Sequence, residues 1–360
     1  MAKKDPSFTM TTYLITGIAG FIGCNIARAL LAQGASVRGV DNFITGKRAN
    51  LHDLQAVDFV EGTIEDPETC ARLCRGVDFI FHEAALASVP RSVEDPVPTN
   101  SANVTGTLNL LLAARNASVR RVVYAGSSSA YGDQPTLPKR EDMPPDPISP
   151  YAVSKLAGEH YMRCFTRVYG LETVVFRYFN VFGPHQDPSS QYSGVLAKFS
   201  LAMLQGRTPV IYGDGTQSRD FTYIDNVVDA NLRAVHAPAK KVSGRVFNVA
   251  TAQRITLNDA VQSLRQLTGY TGPVEYAPAR AGDIAHSLAD ISLARAAFAY
   301  QPTVNFHEGL RRTLLWYRAL GVATGQRLDL EPAERMRLRE WHWKAPADGI
   351  VCTAQLPGRE

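Results

Sequence analysis

The feature that most constrains this chain is the alternation of short apolar runs with helix-period segments through its first half. Tyr13–Thr16, Ser36–Asp41, Val57–Glu61, Val77–His82 and Arg121–Gly126 read as strands, rich in Val, Ile, Tyr and Phe. The clearest intervening helix pattern places Val104, Leu108, Leu111 and Leu112 at the spacing of one buried face. A further helix, Tyr151–Tyr169, leads into an apolar strand, Glu172–Phe179. Strands joined through helices pair in parallel, and parallel sheets are covered by helices on both faces. The expected fold class is therefore α/β, a doubly wound parallel sheet.

After residue 180 the segments shorten and turn clusters such as Gly183-Pro184 and Gly213-Asp214-Gly215 appear. Short strands at Val210–Tyr212, Phe221–Ile224 and Val246–Val249 alternate with helices near Asp225–His236 and Thr256–Thr268. The expected organisation is a sheet domain over 11–180, a smaller mixed α/β lobe over 181–321 with room for crossovers to the first domain, and an appendage over 322–360. In the appendage, Pro332 opens a weakly amphipathic helix pattern to Trp343. The reading there is a surface-docked or frayed tail, with an oligomer contact as the alternative.

A chain of 360 residues, 45% hydrophobic and 20% charged, has ordinary globular composition, which excludes disorder, collagen-like repeats and a coiled coil. It has no apolar run of membrane-spanning length. Met1–Met10 has no apolar core of the secretory type, so the expected location is cytoplasmic. The cysteines (Cys24, Cys70, Cys74, Cys164, Cys352) lack zinc spacing, and Cys70 and Cys74 read as buried thiols. His82, His160 and His185 also lack ligand spacing, so no metal is expected. A net charge of +4 without a basic block favours an anionic small molecule over nucleic acid.

The strand Tyr13–Thr16 runs into Gly17-Ile18-Ala19-Gly20-Phe21-Ile22-Gly23 and then a helix. Gly17 allows the tight turn, Gly20 lets backbone approach a phosphate, and Gly23 lets helix and strand pack closely. The helix start, through Phe21 and Ile22, offers N–H groups and a positive dipole end to a pyrophosphate. Asp41 ends the second strand, where a carboxylate accepts hydrogen bonds from an adenosine ribose and repels a 2′-phosphate. The expected ligand of this Rossmann-type unit is NAD, with Lys47 and Arg48 leaving some room for NADP. Cys24 in the first helical turn reads as a small residue packed beside the cofactor rather than a reactive thiol.

Ser149-Pro150-Tyr151-Ala152-Val153-Ser154-Lys155 has a helix-start signature, with serine as N-cap and proline in the first helical position. Tyr151 and Lys155 then share one face, where an ammonium favours the phenolate and makes a usable base. A surface pair is the competing reading of that spacing. Ser127-Ser128-Ser129 follows the strand Arg121–Gly126, so its hydroxyls stand at the carboxyl end of the sheet, where ligands bind in open α/β folds. For Ser128 and Ser129 a hydroxyl-rich turn is the alternative.

Taken together, these motifs resemble the extended short-chain dehydrogenase/reductase family, specifically nucleotide-sugar 4-epimerases related to UDP-galactose 4-epimerase. The resemblance runs from about Tyr13 to Tyr317. It is closest to the branch acting on UDP-N-acetylhexosamines and their uronic acids, judged from His82-Glu83-Ala84-Ala85-Leu86-Ala87-Ser88-Val89-Pro90-Arg91-Ser92, Arg177-Tyr178-Phe179-Asn180-Val181-Phe182-Gly183 and Ser218-Arg219-Asp220-Phe221. The resemblance implies Ser127, Tyr151 and Lys155 as catalytic residues. It implies cofactor contacts at Asp41, Asn42, Thr63, Ile64, Ala84, Ala85, Asn103, Lys155 and Tyr178. Asn103 also reads as a helix cap, and Thr63 departs from the aspartate usual beside adenine. Around the substrate it implies Ser88, Ser128, Asn180, Val195, Arg219, Arg280, Asp283 and Ser287. Arg219 and Arg280 suit a diphosphate because guanidinium matches phosphate geometry; the alternative is surface pairing with Asp220 and Asp283. A homodimer through the helices containing Leu108 and Met162 is likewise implied.

The resemblance also bears on the reaction. Family dehydratases use an Asp-Glu pair after the catalytic serine or threonine, and the decarboxylases a glutamate; here Ser128 and Ser129 stand there. The expected reaction is C4 epimerisation of a UDP-sugar through a 4-keto intermediate. In this family the residue at Ser287 faces the C2 side of the sugar, where serine leaves room for an N-acetyl group and tyrosine does not. UDP-N-acetylglucosamine and UDP-N-acetylgalactosamine are the expected substrates. N-acetylated UDP-hexuronic acids, other nucleotide-sugar chemistry, and an NAD-binding regulator without turnover remain the alternatives.

Overall fold

The computed structural model of the chain describes residues 10–188, 194–279 and 284–321. Seven strands form one sheet: β1 (Thr12–Thr16), β2 (Ser36–Asp41), β3 (Asp58–Glu61), β4 (Phe79–His82), β5 (Arg121–Ser127), β6 (Glu172–Tyr178) and β7 (Arg245–Val249). Their spatial order is β7-β6-β5-β4-β1-β2-β3, and every neighbouring pair is parallel. The order reverses between β1 and β4, where Thr16 lies opposite His82. Chains leave these two strands toward opposite sides, opening a crevice at their carboxyl ends.

Alternation along the strands feeds two core layers. Tyr13 and Ile15 of β1 join one, with α1 (Phe21–Ala32), while Leu14 joins the other, with α2 (Pro67–Cys74), α3 (Gly106–Asn116) and α4 (Pro150–Tyr169). The α4 helix starts as its sequence predicts. Ser149 Oγ accepts the Ala152 N–H at 3.1 Å, Pro150 occupies the first position, and Gly170 ends the helix in the left-handed region at φ 72°.

Three expectations need adjustment. Phe221–Ile224 contains only a two-residue strand, Thr222–Tyr223, because Ile224 already begins α5 (Ile224–His236). Val246–Val249 belongs to β7 of the large sheet, and α5 packs in the same core layer as α1, so the later segment crosses back over the first. On α3 the buried face is Gly106, Thr107, Leu110, Leu111, Ala113 and Ala114, whereas Val104, Leu108 and Leu112 are only half-buried. A π-helical turn, Ser101–Thr105, precedes α3, and its wider winding moves the following residues off the face that an ideal α period assigns.

Cys70 and Cys74 are free, buried thiols. No helix among the described residues is long and apolar enough to cross a membrane. The appendage 322–360, including Cys352, lies outside the described residues.

Candidate active site

The glycine loop is shaped by close backbone approach. Gly17 sits at φ 70°, and a Cβ there would stand 2.8 Å from Ala84 backbone atoms. A Cβ on Gly23 would meet the Gly17 carbonyl oxygen at 2.4 Å. Gly17 N–H donates to Val40 O at 2.8 Å and Gly20 N–H to Gly17 O at 2.9 Å. Gly20 caps α1 without a capping side chain, no carboxylate lies in the first turn, and Phe21 and Ile22 are half-buried there. This cradle has no space for side chains and ends on helix N–H groups, which fits the pyrophosphate of a dinucleotide.

Asp41 closes β2 with Oδ2 accepting the Ala19 N–H at 2.9 Å and Oδ1 the Phe43 N–H at 2.8 Å. Burial raises its carboxyl, and these amides work against the rise. Of the two nearby cations, Lys47 pairs with Asp187 at 3.0 Å and Arg48 with Glu61 at 2.8 Å, both at the surface. Asn42 is exposed, its Oδ1 accepting the Ile44 N–H. Thr63 is engaged with Glu65, and Ile64 is buried.

Ser127 ends β5, and its Oγ accepts from Ser129 twice, the N–H at 3.1 Å and the hydroxyl at 2.8 Å. Ser128 is half-buried in the short turn that follows. Tyr151 lies in the first turn of α4, its N–H donating to Ser92 Oγ at 3.0 Å. One turn on, Lys155 is 4% exposed, which excludes the surface-pair reading. Its Nζ donates to Ala125 O at 2.8 Å and lies 5.1 Å from the Tyr124 ring centroid. Burial pushes this amine down to about 8, opposed by the Glu83 carboxylate.

The phenol departs from the sequence expectation. Burial raises the pKa of Tyr151 and outweighs the Ser127 hydroxyl, which draws it back. The physical reason is desolvation of the phenol; the Lys155 hydrogen bond runs to Ala125 O at the end of β5.

Asn103 serves neither as a helix cap nor as an open contact. Its Oδ1 accepts the Leu86 N–H at 2.8 Å, and its Nδ2 donates to Leu86 O and Ser154 Oγ. It fastens the segment carrying Ala84 and Ala85, both half-buried, to α4. Tyr178 at the end of β6 donates to Glu83 Oε1 at 3.2 Å and accepts from Asn231 Nδ2 at 2.8 Å.

Beyond the sheet, Asn180 adopts φ 34° and its Nδ2 donates to Ser287 Oγ at 3.2 Å and Asp220 O at 3.3 Å. Ser287 is 8% exposed. Asp220 is not an ion-pair partner for Arg219; its carboxylate accepts from Thr251 and Ala289. Arg219 Nη1 donates to Ser218 O and Ala285 O. Ser88 caps the short helix Val89–Glu94 by accepting the Arg91 N–H, and Val195 begins the helix Val195–Leu204. Arg280 and Asp283 lie outside the described residues.

Sequence reasoning assigned no role to Glu83 or Ser92 and none beyond a turn to Ser129. Ser92 and Glu83 stand in the run after β4, and Ser129 two residues past Ser127, so proximity to assigned residues was the available signal. The thiol of Cys24 is buried and pushed up to about 11, in line with a packing role. His82 bridges Thr16 and Thr107 through its two ring nitrogens.

The site thus combines a doubly wound sheet, a glycine cradle, the Asp41 carboxylate at the end of β2 and the Ser127, Tyr151 and Lys155 side chains at the carboxyl end of the sheet and the start of α4. A model of the NAD dependent epimerase/dehydratase family matches residues 13–250, and the chain belongs to that family. It is an NAD-dependent enzyme of the epimerase type. The UDP-glucose 4-epimerase of Mycolicibacterium smegmatis is 41% identical over 310 residues, covering 85% of this chain and 98% of the relative. The UDP-glucuronate 4-epimerase of Thermodesulfobacterium geofontis is 34% identical over 319 residues, covering 85% and 96%. Among solved structures, the UDP-N-acetylglucosamine 4-epimerase from Methanobrevibacter ruminantium, in complex with UDP-N-acetylmuramic acid, superposes with a TM-score of 0.81 at 37% identity, covering 87% of this chain and 100% of that one.

Proposed function

We propose that this enzyme interconverts the C4 epimers of UDP-N-acetylglucosamine and UDP-N-acetylgalactosamine. The segment 11–180 holds NAD, through Gly17, Gly20, Phe21, Ile22, Gly23, Asp41, Asn42, Thr63, Ile64, Ala84, Ala85, Lys155 and Tyr178, with Asn103 holding the Ala84-Ala85 segment in place. The lobe 181–321 holds the UDP-sugar, through Asn180, Val195, Arg219, Arg280, Asp283 and Ser287, with Ser88 and Ser128 contributing from the sheet side. NAD held by the segment 11–180 would supply the reversible hydride acceptor that inversion at C4 requires. Tyr151 takes the 4-hydroxyl proton and gives it back, a role for which a phenol needs help. Ser127 bridges the phenol and the sugar oxygen, with Ser129 orienting its lone pairs. Lys155 supplies positive charge beside the phenolate.

The observation that supports the substrate reading is Ser287, a small side chain held on Asn180, because serine takes up far less volume than tyrosine where the sugar's C2 group is proposed to lie. UDP-hexuronic acids are the second reading, supported by the identity to the glucuronate relative. The protein acts as a homodimer in the cytoplasm. In support of the dimer, half-buried Leu108 and Leu112 line α3, Val93 and Val97 are exposed on two short helices that pack against α4, and Ile148 and Val153 are exposed at the start of α4. Met162 is fully buried in the core, so it supports its helix from within. Incubating the protein with UDP-hexoses, UDP-N-acetylhexosamines and UDP-hexuronic acids and resolving C4 epimers by NMR tests the reading. Turnover limited to the plain hexoses would overturn it.

A further inference from the structure

Near its end β7 carries a polar residue that its strand does not need. Asn248 is fully buried between Phe247 and Val249, and its pairing opposite Arg177 of β6 is made by backbone. Burying an amide is costly unless its hydrogen bonds are made. Asn248 makes three with its side chain: Oδ1 accepts the Tyr131 hydroxyl at 2.7 Å, and Nδ2 donates to Lys139 O at 2.9 Å and Asp290 O at 3.0 Å. An apolar side chain would keep the strand pairing without the desolvation cost, so the amide is retained for what it joins.

On one side it joins the turn after Ser127. Tyr131 closes the short turn Ser128–Tyr131, whose Ser129 donates twice to Ser127 Oγ, and its buried ring lies 4.4 Å from the Arg177 guanidinium carbon. On the other side it joins the segment that carries Ser287. Lys139 N–H donates to Leu288 O at 2.7 Å, and the Asp290 N–H returns to Lys139 O at 2.9 Å, a parallel bridge around Ala289. Ala289 N–H donates to Asp220 Oδ2, while Asn180, which holds Ser287 Oγ, also donates to Asp220 O. The Ser127 turn and the Ser287 segment are distant in sequence, and one buried amide bonds toward both.

We propose that Asn248 is a positioning residue that sets the Ser127 turn against the sugar-recognising Ser287 segment. The inference rests on the roles of Ser127 and Ser287 proposed above. Asn248 acts through Tyr131 on one side and through Asp290 and Lys139 on the other. Proton transfer requires the serine hydroxyl within hydrogen-bond reach of a sugar oxygen whose place is fixed from the lobe, so a loosened link costs rate more than binding.

Asn248→Leu removes every side-chain bond at once, but it strands buried partners and risks unfolding. Tyr131→Phe therefore carries the test, since it removes one hydroxyl and keeps the ring beside Arg177. It lowers kcat for UDP-N-acetylglucosamine about fivefold with KM within about twofold of the parent. A purely structural role predicts a lower melting temperature with kcat unchanged where the protein is folded, which would overturn the proposal. A readout independent of turnover is amide hydrogen exchange by mass spectrometry, without added substrate. In Tyr131→Phe the peptide spanning Ser287–Ile291, which contains the Asp290 N–H bonded to Lys139 O, exchanges at least about fivefold faster, while α1 is unchanged. Parental exchange in that peptide would also overturn the proposal. If the parent turns over no UDP-sugar, the functional reading fails instead, and the exchange measurement still decides the link.

Discussion

Replacing Ser287 by tyrosine places a phenol ring where the structure has a buried hydroxyl that accepts from Asn180 Nδ2 at 3.2 Å and from the Asp220 N–H at 3.4 Å. With the position only 8% exposed, the ring has to grow into the space beside Asn180 that is assigned to the sugar. Overpacking of this kind costs about 1–3 kcal/mol, a loss of roughly 5- to 150-fold in kcat/KM for a substrate that needs the same volume. A plain hexose carries a hydroxyl where the acetamido group would be and suffers less. Ser287→Ala is the control. It removes neutral hydrogen bonds worth about 1 kcal/mol and lowers kcat/KM by about fivefold for every sugar alike. The assay is kcat/KM for UDP-N-acetylglucosamine and UDP-glucose on both variants, with circular dichroism to verify folding. The predicted result is a fall in the acetylated-to-plain ratio of at least about tenfold for tyrosine and none for alanine. An unchanged ratio in Ser287→Tyr would show that the C2 group is accommodated elsewhere.

Tyr151→Phe and Lys155→Met each abolish epimerisation with an unchanged circular dichroism spectrum; near-parental turnover by Tyr151→Phe would refute its role as base. NAD rather than NADP copurifies, and Gly23→Ala, whose Cβ would lie 2.4 Å from the Gly17 oxygen, lowers its content at least about fivefold, as read from nucleotide released on denaturation. Buried His82 is held neutral, its pKa depressed from 6.5 to about 3, chiefly by burial. Its stabilising contribution is complete above pH 6.5 and lost as pH falls toward 3, about 2 kcal/mol by pH 5. His82→Gln should therefore flatten the fall in urea midpoint between pH 6.5 and 5, and an unchanged slope would assign that fall to other groups.

Local patterns made much of the sheet legible. Ser36–Asp41 appears with its expected bounds, and α4 begins one residue early because Pro150 is its first helical residue. The glycine loop was readable because backbone geometry leaves no alternative to glycine at Gly17 and Gly23. Strand Arg245–Val249 was visible as a strand, but its pairing with β6 joins residues about 70 apart, which no local period reports. The α3 face was misjudged because the π-helical turn before it shifts the phase of the following residues, which apolar spacing at an ideal α period does not report. The Glu83–Tyr178–Asn231 chain was invisible for the same reason as β7: its members come from separate elements brought together only by the sheet order. The direction of Lys155 toward Ala125 likewise depends on β5 ending beside α4, not on the Tyr-x-x-x-Lys spacing.

The central claim is that the C4 hydrogen leaves and returns within one active site. The direct measurement follows UDP-N-acetylglucosamine deuterated at C4 through incubation with the purified protein, without added nucleotide, by proton and deuterium NMR. The account predicts UDP-N-acetylgalactosamine with deuterium retained at C4 and no hydrogen taken up from solvent. Loss of the C4 label to water, or a product that has lost water in place of inverting C4, would contradict it.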